Sequence, residues 1–134
     1  MGEANRPRII LADDHPAVLA EAALILRQDY EIVGTASNGL ELLDCAGLLN
    51  PDLLVLDIAM PGLGGFEATR RLRSGGARTK IVFLTVWEDT DFVHEALQLG
   101  ASGYVVKSRM ATDLLPAISE ALAARQFISP TLHL

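Results

Sequence analysis

The sequence predicts a doubly wound α/β fold, a five-stranded parallel sheet flanked by five helices, and three observations carry that expectation. Short apolar runs rich in β-branched residues alternate with longer amphipathic stretches, the pattern of consecutive βαβ units. The middle runs, such as Leu53 to Leu56 and Ile81 to Leu84, are apolar on successive residues, as parallel strands covered on both faces require. A chain of 134 residues, 50% hydrophobic and 21% charged, is long enough to bury one core without disulfide or metal staples.

The strands are expected at Arg8 to Ala12, Glu31 to Ala36, Asp52 to Leu56, Lys80 to Thr85 and Gly103 to Val106. Pro16 suits the first position of a helix running to about Arg27, because its fixed φ and missing N–H cost nothing there. Asn38 can cap the second helix, with Glu41 at capping-box spacing, and Pro51 prevents that helix from continuing. The third runs from near Gly65 to Gly75-Gly76. The fourth follows Glu88-Asp89, with Phe92, Val93, Ala96 and Leu97 on one face and Gly100 as a left-handed terminator. The fifth follows Thr112, with Leu114, Ile118 and Leu122 stepping by four. Right-handed crossovers then favour the strand order 2-1-3-4-5, the flavodoxin-like arrangement, in which ligands bind beyond the carboxyl ends of strands 1 and 3.

Composition excludes several function classes. A formal charge of −6 repels nucleic-acid phosphates, so these residues are not expected to bind DNA by themselves. Cys45 is the single cysteine, which precludes an internal disulfide, and no basic-then-apolar leader opens the sequence; both point to a reducing cytoplasm. The apolar runs are strand-sized, far below the roughly 20 residues that cross a bilayer, so no membrane segment is expected.

Chemistry concentrates at the strand ends. The first strand ends in Asp13-Asp14, the third in Asp57, the fourth in Thr85 and the fifth in Lys107, so four strands deliver polar groups to one edge. Taken singly, each has a bland explanation as a helix cap, a strand residue or a solvated lysine. Together they are harder to dismiss, because two like charges about 4 Å apart repel by roughly 4 kcal/mol at an effective dielectric near 20. Three carboxylates call for a cation, and hard oxygen donors suit magnesium better than zinc. A carboxylate flanked by a divalent cation, a hydroxyl and an ammonium group can attack phosphorus. Asp57 holds the central position and is the expected acceptor.

From about Arg8 to Phe127 the sequence resembles the receiver domains of bacterial two-component response regulators. The likeness is carried by Ile9-Ile10-Leu11-Ala12-Asp13-Asp14-His15, by Pro51 to Pro61 around Asp57, by Ile81-Val82-Phe83-Leu84-Thr85 and by Gly100 to Lys107. The resemblance implies that Asp14 and Asp57 bind magnesium directly, that Asp13 acts largely through water, and that the backbone carbonyl of Ala59 is a further ligand. It implies that Thr85 hydrogen-bonds a phosphoryl group on Asp57, that Lys107 pairs with it, and that Tyr104 rotates inward as Thr85 moves. The implied partner is a sensor histidine kinase, and the domain is a phosphoacceptor, not an enzyme. Residues 1–127 would be the receiver, with a core over about 8–125, and residues 128–134 the start of a linker. The stretch Ala121 to Pro130 is similar to junctions that precede LuxR-type helix-turn-helix domains, in which case DNA contact would belong to a segment beyond these residues; a stand-alone receiver is the competing reading, and in either case phosphorylation would favour a homodimer.

The sequence departs from the family's commonest pattern at Ser108, where many receivers carry proline, and a cis bond without proline costs about 2.5 to 4 kcal/mol. Val86 and Trp87 place bulk just after Thr85. His15, His94 and His133 show no metal-ligand spacing among themselves and are read as surface or capping residues, and Cys45 as a small half-buried one. A flavin carrier would need a glycine- or hydroxyl-rich loop where Asp13-Asp14 stands. A phosphatase of the haloacid dehalogenase type would need its two acids separated by one residue, and here they are adjacent. A receiver that has lost phosphorylation conflicts with the complete set Asp13, Asp14, Asp57, Thr85 and Lys107.

Overall fold

The computed structural model describes residues 6–132. In chain order the elements are β1 (Arg8–Ala12), α1 (Pro16–Leu26), β2 (Glu31–Ala36), α2 (Gly39–Leu49), β3 (Leu53–Leu56), α3 (Gly65–Ser74), β4 (Lys80–Thr85), α4 (Thr90–Gln98), β5 (Gly103–Val106), α5 (Met110–Leu122) and β6 (Phe127–Ile128). All strand pairs are parallel, and the sheet order is β2-β1-β3-β4-β5-β6.

The sheet therefore has six strands instead of the expected five. β6 is two residues long, too short for any periodicity to announce it. It forms because β5 would otherwise end the sheet with unpaired backbone groups, and the chain returning from α5 supplies partners. The return passes through Ala124 at φ 61, a left-handed conformation that few alanines adopt. Ile128 and Ser129, which the sequence reading assigned to a linker, lie against β5: Ser129 N–H donates to Tyr104 O at 2.9 Å.

Strand alternation sorts the core into two layers. Ile10, Leu54, Leu56, Ile81, Phe83 and Tyr104 face α2, α3 and α4, which contribute Leu42, Ala68, Val93 and Ala96. Ile9, Leu11, Leu53, Val55, Val82 and Val105 face α1 and α5, which contribute Ala22, Leu26, Leu114, Ala117, Ile118 and Ala121. Because β1, β3 and β4 are covered on both sides, their residues are buried without interruption after the first positions.

Helix ends follow local chemistry. Asn38 Oδ1 accepts the Glu41 N–H at 2.9 Å, while the Glu41 carboxylate reaches back to Ser37, not to Asn38, accepting its N–H at 2.8 Å. Gly100 closes α4 at φ 85. α5 begins at Met110, earlier than expected, because a 3₁₀ turn over Lys107–Arg109 leads directly into it. The described residues contain no cis peptide bond, so Lys107 and Ser108 are joined by an ordinary trans bond.

One glycine positions the site. Gly65 N–H donates to Ile58 O at 2.7 Å, and a Cβ there would lie 2.1 Å from the Asp57 carbonyl oxygen. The start of α3 thus rests on the backbone of the residue that follows β3. We expect Gly65→Ala to lower unfolding free energy by about 2 kcal/mol or more through overpacking. Gly47→Ala, an exposed α2 position with nothing within 4 Å, should raise it by about 0.5 to 1 kcal/mol. Urea titrations of both variants check the opposite signs; a harmless Gly65→Ala contradicts the close approach.

Candidate functional site

The strand ladders continue past β1 and β3 and carry the acids with them. Asp13 N–H donates to Ala36 O and Asp57 N–H to Ala12 O, each at 3.0 Å. Both side chains are then buried, at 2% and 3% residue exposure, in a place where an unpaired charge is costly.

Lys107 compensates them. Its Nζ lies 2.8 Å from Asp57 Oδ2 and 2.8 Å from Asp13 Oδ2, bridging β1 and β3 from the end of β5. Burial by itself pulls the ammonium pKa down, but hydrogen bonding and charge from Asp13 and Asp57 outweigh it and hold the group above its ordinary value. Asp57 Oδ1 accepts the Ile58 N–H at 2.7 Å. Asp13 Oδ1 accepts the His15 N–H at 2.9 Å, while Asp13 Oδ2 faces the ammonium.

Ligand atoms of Asp13, Asp14, His15 and Asp57 lie within 4.8 Å of one another. Three carboxylates against one ammonium leave an excess of negative charge, with Asp14 at the exposed rim of the cluster. The set is compatible with magnesium, which takes carboxylate oxygens and keeps several waters. His15 joins this cluster although the sequence reading placed it among surface or capping residues. It is the N-cap residue of α1 yet makes no side-chain cap bond; instead Nδ1 stands 3.0 Å from Asp13 Oδ1 and 3.1 Å from Asp14 Oδ1. Adjacency to Asp14 was the only sequence signal for it.

Thr85 and Tyr104 stand on neighbouring strands and are both fully buried. Each is tied to the backbone of Trp87: Thr85 Oγ1 accepts its N–H at 3.3 Å, and the Tyr104 hydroxyl donates to its carbonyl at 2.7 Å. Burial, with added repulsion from Asp57, Asp89 and Glu88, pushes the Tyr104 pKa far up, so the phenol stays neutral and able to donate. The Trp87 ring packs on Phe92 of α4 with centroids 4.4 Å apart. Ala59 lies exposed two residues beyond Asp57, His94 is exposed on α4, Cys45 is half-buried, and His133 lies outside the described residues. Among the described residues no helix is long and apolar enough to cross a membrane.

Comparison with known proteins finds relatives in sequence and in fold. The sequence profile named "Response regulator receiver domain" matches residues 9–119. The nitrate/nitrite response regulator protein NarL of Escherichia coli K12 is 36% identical over 126 residues, covering 92% of this chain and 58% of that protein. Among solved structures, a LuxR-family two-component response regulator from Aurantimonas sp. is 38% identical with a TM-score of 0.85, covering 94% of this chain and 91% of that one. The isolated receiver domain of RcsB from Salmonella enterica serovar Typhimurium, solved with the phosphomimetic BeF3-, is 26% identical with a TM-score of 0.87, covering 94% and 95%. The chain spans 58% of the length of the first curated relatives it matches.

The ion pair at the centre of the site makes a test independent of any ligand. Lys107→Met strands two buried carboxylates and is expected to cost about 3 kcal/mol at neutral pH. Because the lysine pKa is raised on folding, its contribution is complete below the ordinary lysine range and is lost as pH rises past the raised value. Urea melts of both proteins from neutral to strongly alkaline pH should show a gap that closes only at the alkaline end; equal stability at neutral pH contradicts the pairing.

Proposed function

The chain belongs to the response regulator receiver domain family, and on that premise we propose that Asp57 accepts a phosphoryl group from a sensor histidine kinase and that the product switches the domain's surface. The observation carrying this reading is the Lys107 ammonium held on Asp57 Oδ2 and Asp13 Oδ2 inside a cluster of acids.

An Asp57 carboxylate oxygen forms the new O–P bond as the bond from phosphorus to the donor imidazole nitrogen breaks. The imidazole leaves with the electron pair and takes up a proton. Lys107 is placed to pair with a phosphoryl oxygen, and its attraction grows as charge develops there. Asp14, Asp57 and the Ala59 carbonyl, with Asp13 largely through water, are the residues that would hold magnesium. Bound there, the cation supplies charge neutralisation for the phosphoryl oxygens.

Thr85 already accepts a hydrogen bond from Trp87, which leaves its own O–H free to donate to a phosphoryl oxygen. Tyr104 has its ring inward and its hydroxyl on the same Trp87 backbone, so displacement of Thr85 bears on Tyr104 through one shared residue. Only contacts that differ between two states shift their populations. The switched face would pair two copies.

This is a signalling domain that turns over its own phosphoryl group slowly, without acting on other substrates. Its setting is the cytoplasm. The longer curated relatives, with a LuxR-family regulator among the similar structures, support an output domain of LuxR type following the segment after β6, and DNA contact belongs there, since these acidic residues repel phosphates.

Incubation with magnesium and acetyl phosphate should add the mass of one phosphoryl group to the wild type and none to Asp57→Asn. Sedimentation of the same samples with beryllofluoride should show a dimer in the wild type alone. Modification of Asp57→Asn overturns the assignment, and an unchanged monomer overturns the pairing. A second expectation concerns lifetime. Trp87 stands two residues after Thr85 with its ring on Phe92, and if its bulk obstructs water at the acceptor, Trp87→Ala hydrolyses its phosphoryl group a few-fold faster; an unchanged rate refutes that role.

A further inference from the structure

Lys107 must stay within reach of Asp13 and Asp57, yet nothing in its immediate sequence stiffens the turn that carries it. Ser108 is not a proline, and a single 3₁₀ turn, closed by the Met110 N–H on Lys107 O, separates β5 from α5. Further restraint comes from the segment after α5. Ser129 is fully buried and makes three hydrogen bonds: its N–H donates to Tyr104 O at 2.9 Å, its Oγ accepts the Val106 N–H at 3.1 Å, and its hydroxyl donates to Asp113 Oδ2 at 2.7 Å. Asp113, buried on the first turns of α5, in turn accepts Arg109 Nε at 2.7 Å and Nη2 at 3.1 Å.

The residue before Lys107 and the residue two after it are therefore fastened to one hydroxyl–carboxylate pair. Val106 is held by Ser129 directly, and Arg109 through Asp113. The Arg109 and Ser129 hydrogen bonds hold the Asp113 carboxyl below its usual range against the opposing effect of burial, so it is an anion whenever the domain is folded near neutrality. Loss of any member leaves a buried polar group without its partner, which is costly in a way that a surface contact is not. No such arrangement would be needed merely to hold β6 against β5, since the Phe127 and Ser129 N–H groups already bond the β5 edge through Ser102 O and Tyr104 O.

We propose that Ser129, acting through Val106 and the Asp113–Arg109 pair, is a positioning residue for Lys107, so that the segment after α5 clamps the turn that aims the ammonium at Asp57. This rests on the phosphoacceptor reading of the site. Coupling between two sites is reciprocal: if a docked segment holds Lys107 in place for an anion on Asp57, the anion in turn favours the docked segment. The route from site to whatever follows β6 then runs along β5 itself, from Lys107 to Ser129.

The test uses the whole chain and fluorine NMR of bound beryllofluoride in magnesium. Ser129→Ala should weaken beryllofluoride binding about fivefold, the scale of one hydrogen bond. Ser129→Thr, which keeps the hydroxyl, should recover affinity. Magnesium affinity measured without the anion should not fall, because Lys107 faces the anion and not the cation. In a Lys107→Ala background, Ser129→Ala should add nothing further. If Ser129→Ala melts too low to titrate, Arg109→Lys, at the more exposed end of the chain of contacts, reads the same loss at about twofold. Wild type that binds while Ser129→Ala, or in its place Arg109→Lys, binds equally well overturns this inference alone, as does an equal loss with and without Lys107. Wild type that takes up no beryllofluoride overturns the phosphoacceptor reading and this inference with it.

Discussion

The contact on which the rest of the structure depends is the Lys107 ammonium bridging Asp13 and Asp57. Three strands have to end at the same level for it to exist, and β3 has to lie between β1 and β4 so that its acid faces both neighbours' ends. Two nearly buried carboxylates are tolerable only because that ammonium compensates them, and the ammonium is held above its ordinary pKa only because they do. The compensation is incomplete. Asp14 adds a third carboxylate at the rim, so the cluster keeps an excess of negative charge compatible with a hard cation.

The surrounding fold serves that geometry by close approach. α3 begins at Gly65 because a side chain there would strike the Asp57 carbonyl, and the loop between them is drawn tight by the Gly65–Ile58 hydrogen bond. On the other side, Trp87 gathers Thr85 and Tyr104 onto its own peptide groups and rests its ring on Phe92. A displacement of Thr85 has few ways to be absorbed without being felt at Tyr104, since both are fully buried in a close-packed interior. β5 then links the site to the segment beyond α5, because it carries Tyr104, leads into Lys107 and pairs with β6.

Much of this was legible along the chain. The consecutive apolar residues of β3 and β4 announced buried parallel strands, Asn38 and Glu41 announced the start of α2, and Gly100 announced the end of α4. Asp13, Asp14, Asp57 and Lys107 could be assigned to one edge because each follows a strand. β6 could not be read, because two residues have no period and their pairing depends on where the chain returns after Ala124. The early start of α5 was hidden for a similar reason, as a 3₁₀ turn leaves no apolar pattern. His15 was set apart from the acids because a histidine beside two aspartates reads equally well as a solvated cap.

Periodicity and caps acting within a few positions established five strands, five helices and the polar residues that follow the strands, β6 and the start of α5 excepted. What only the tertiary structure decided was which of those groups meet. Ser129 sealed against the edge of β5, Tyr104 turned inward onto Trp87, and His15 leaning on the acids are contacts between groups whose neighbours are set by strand order and chain return. A hydrogen bond is decided within a few tenths of an ångström, and local pattern carries no information at that scale about segments distant in the chain.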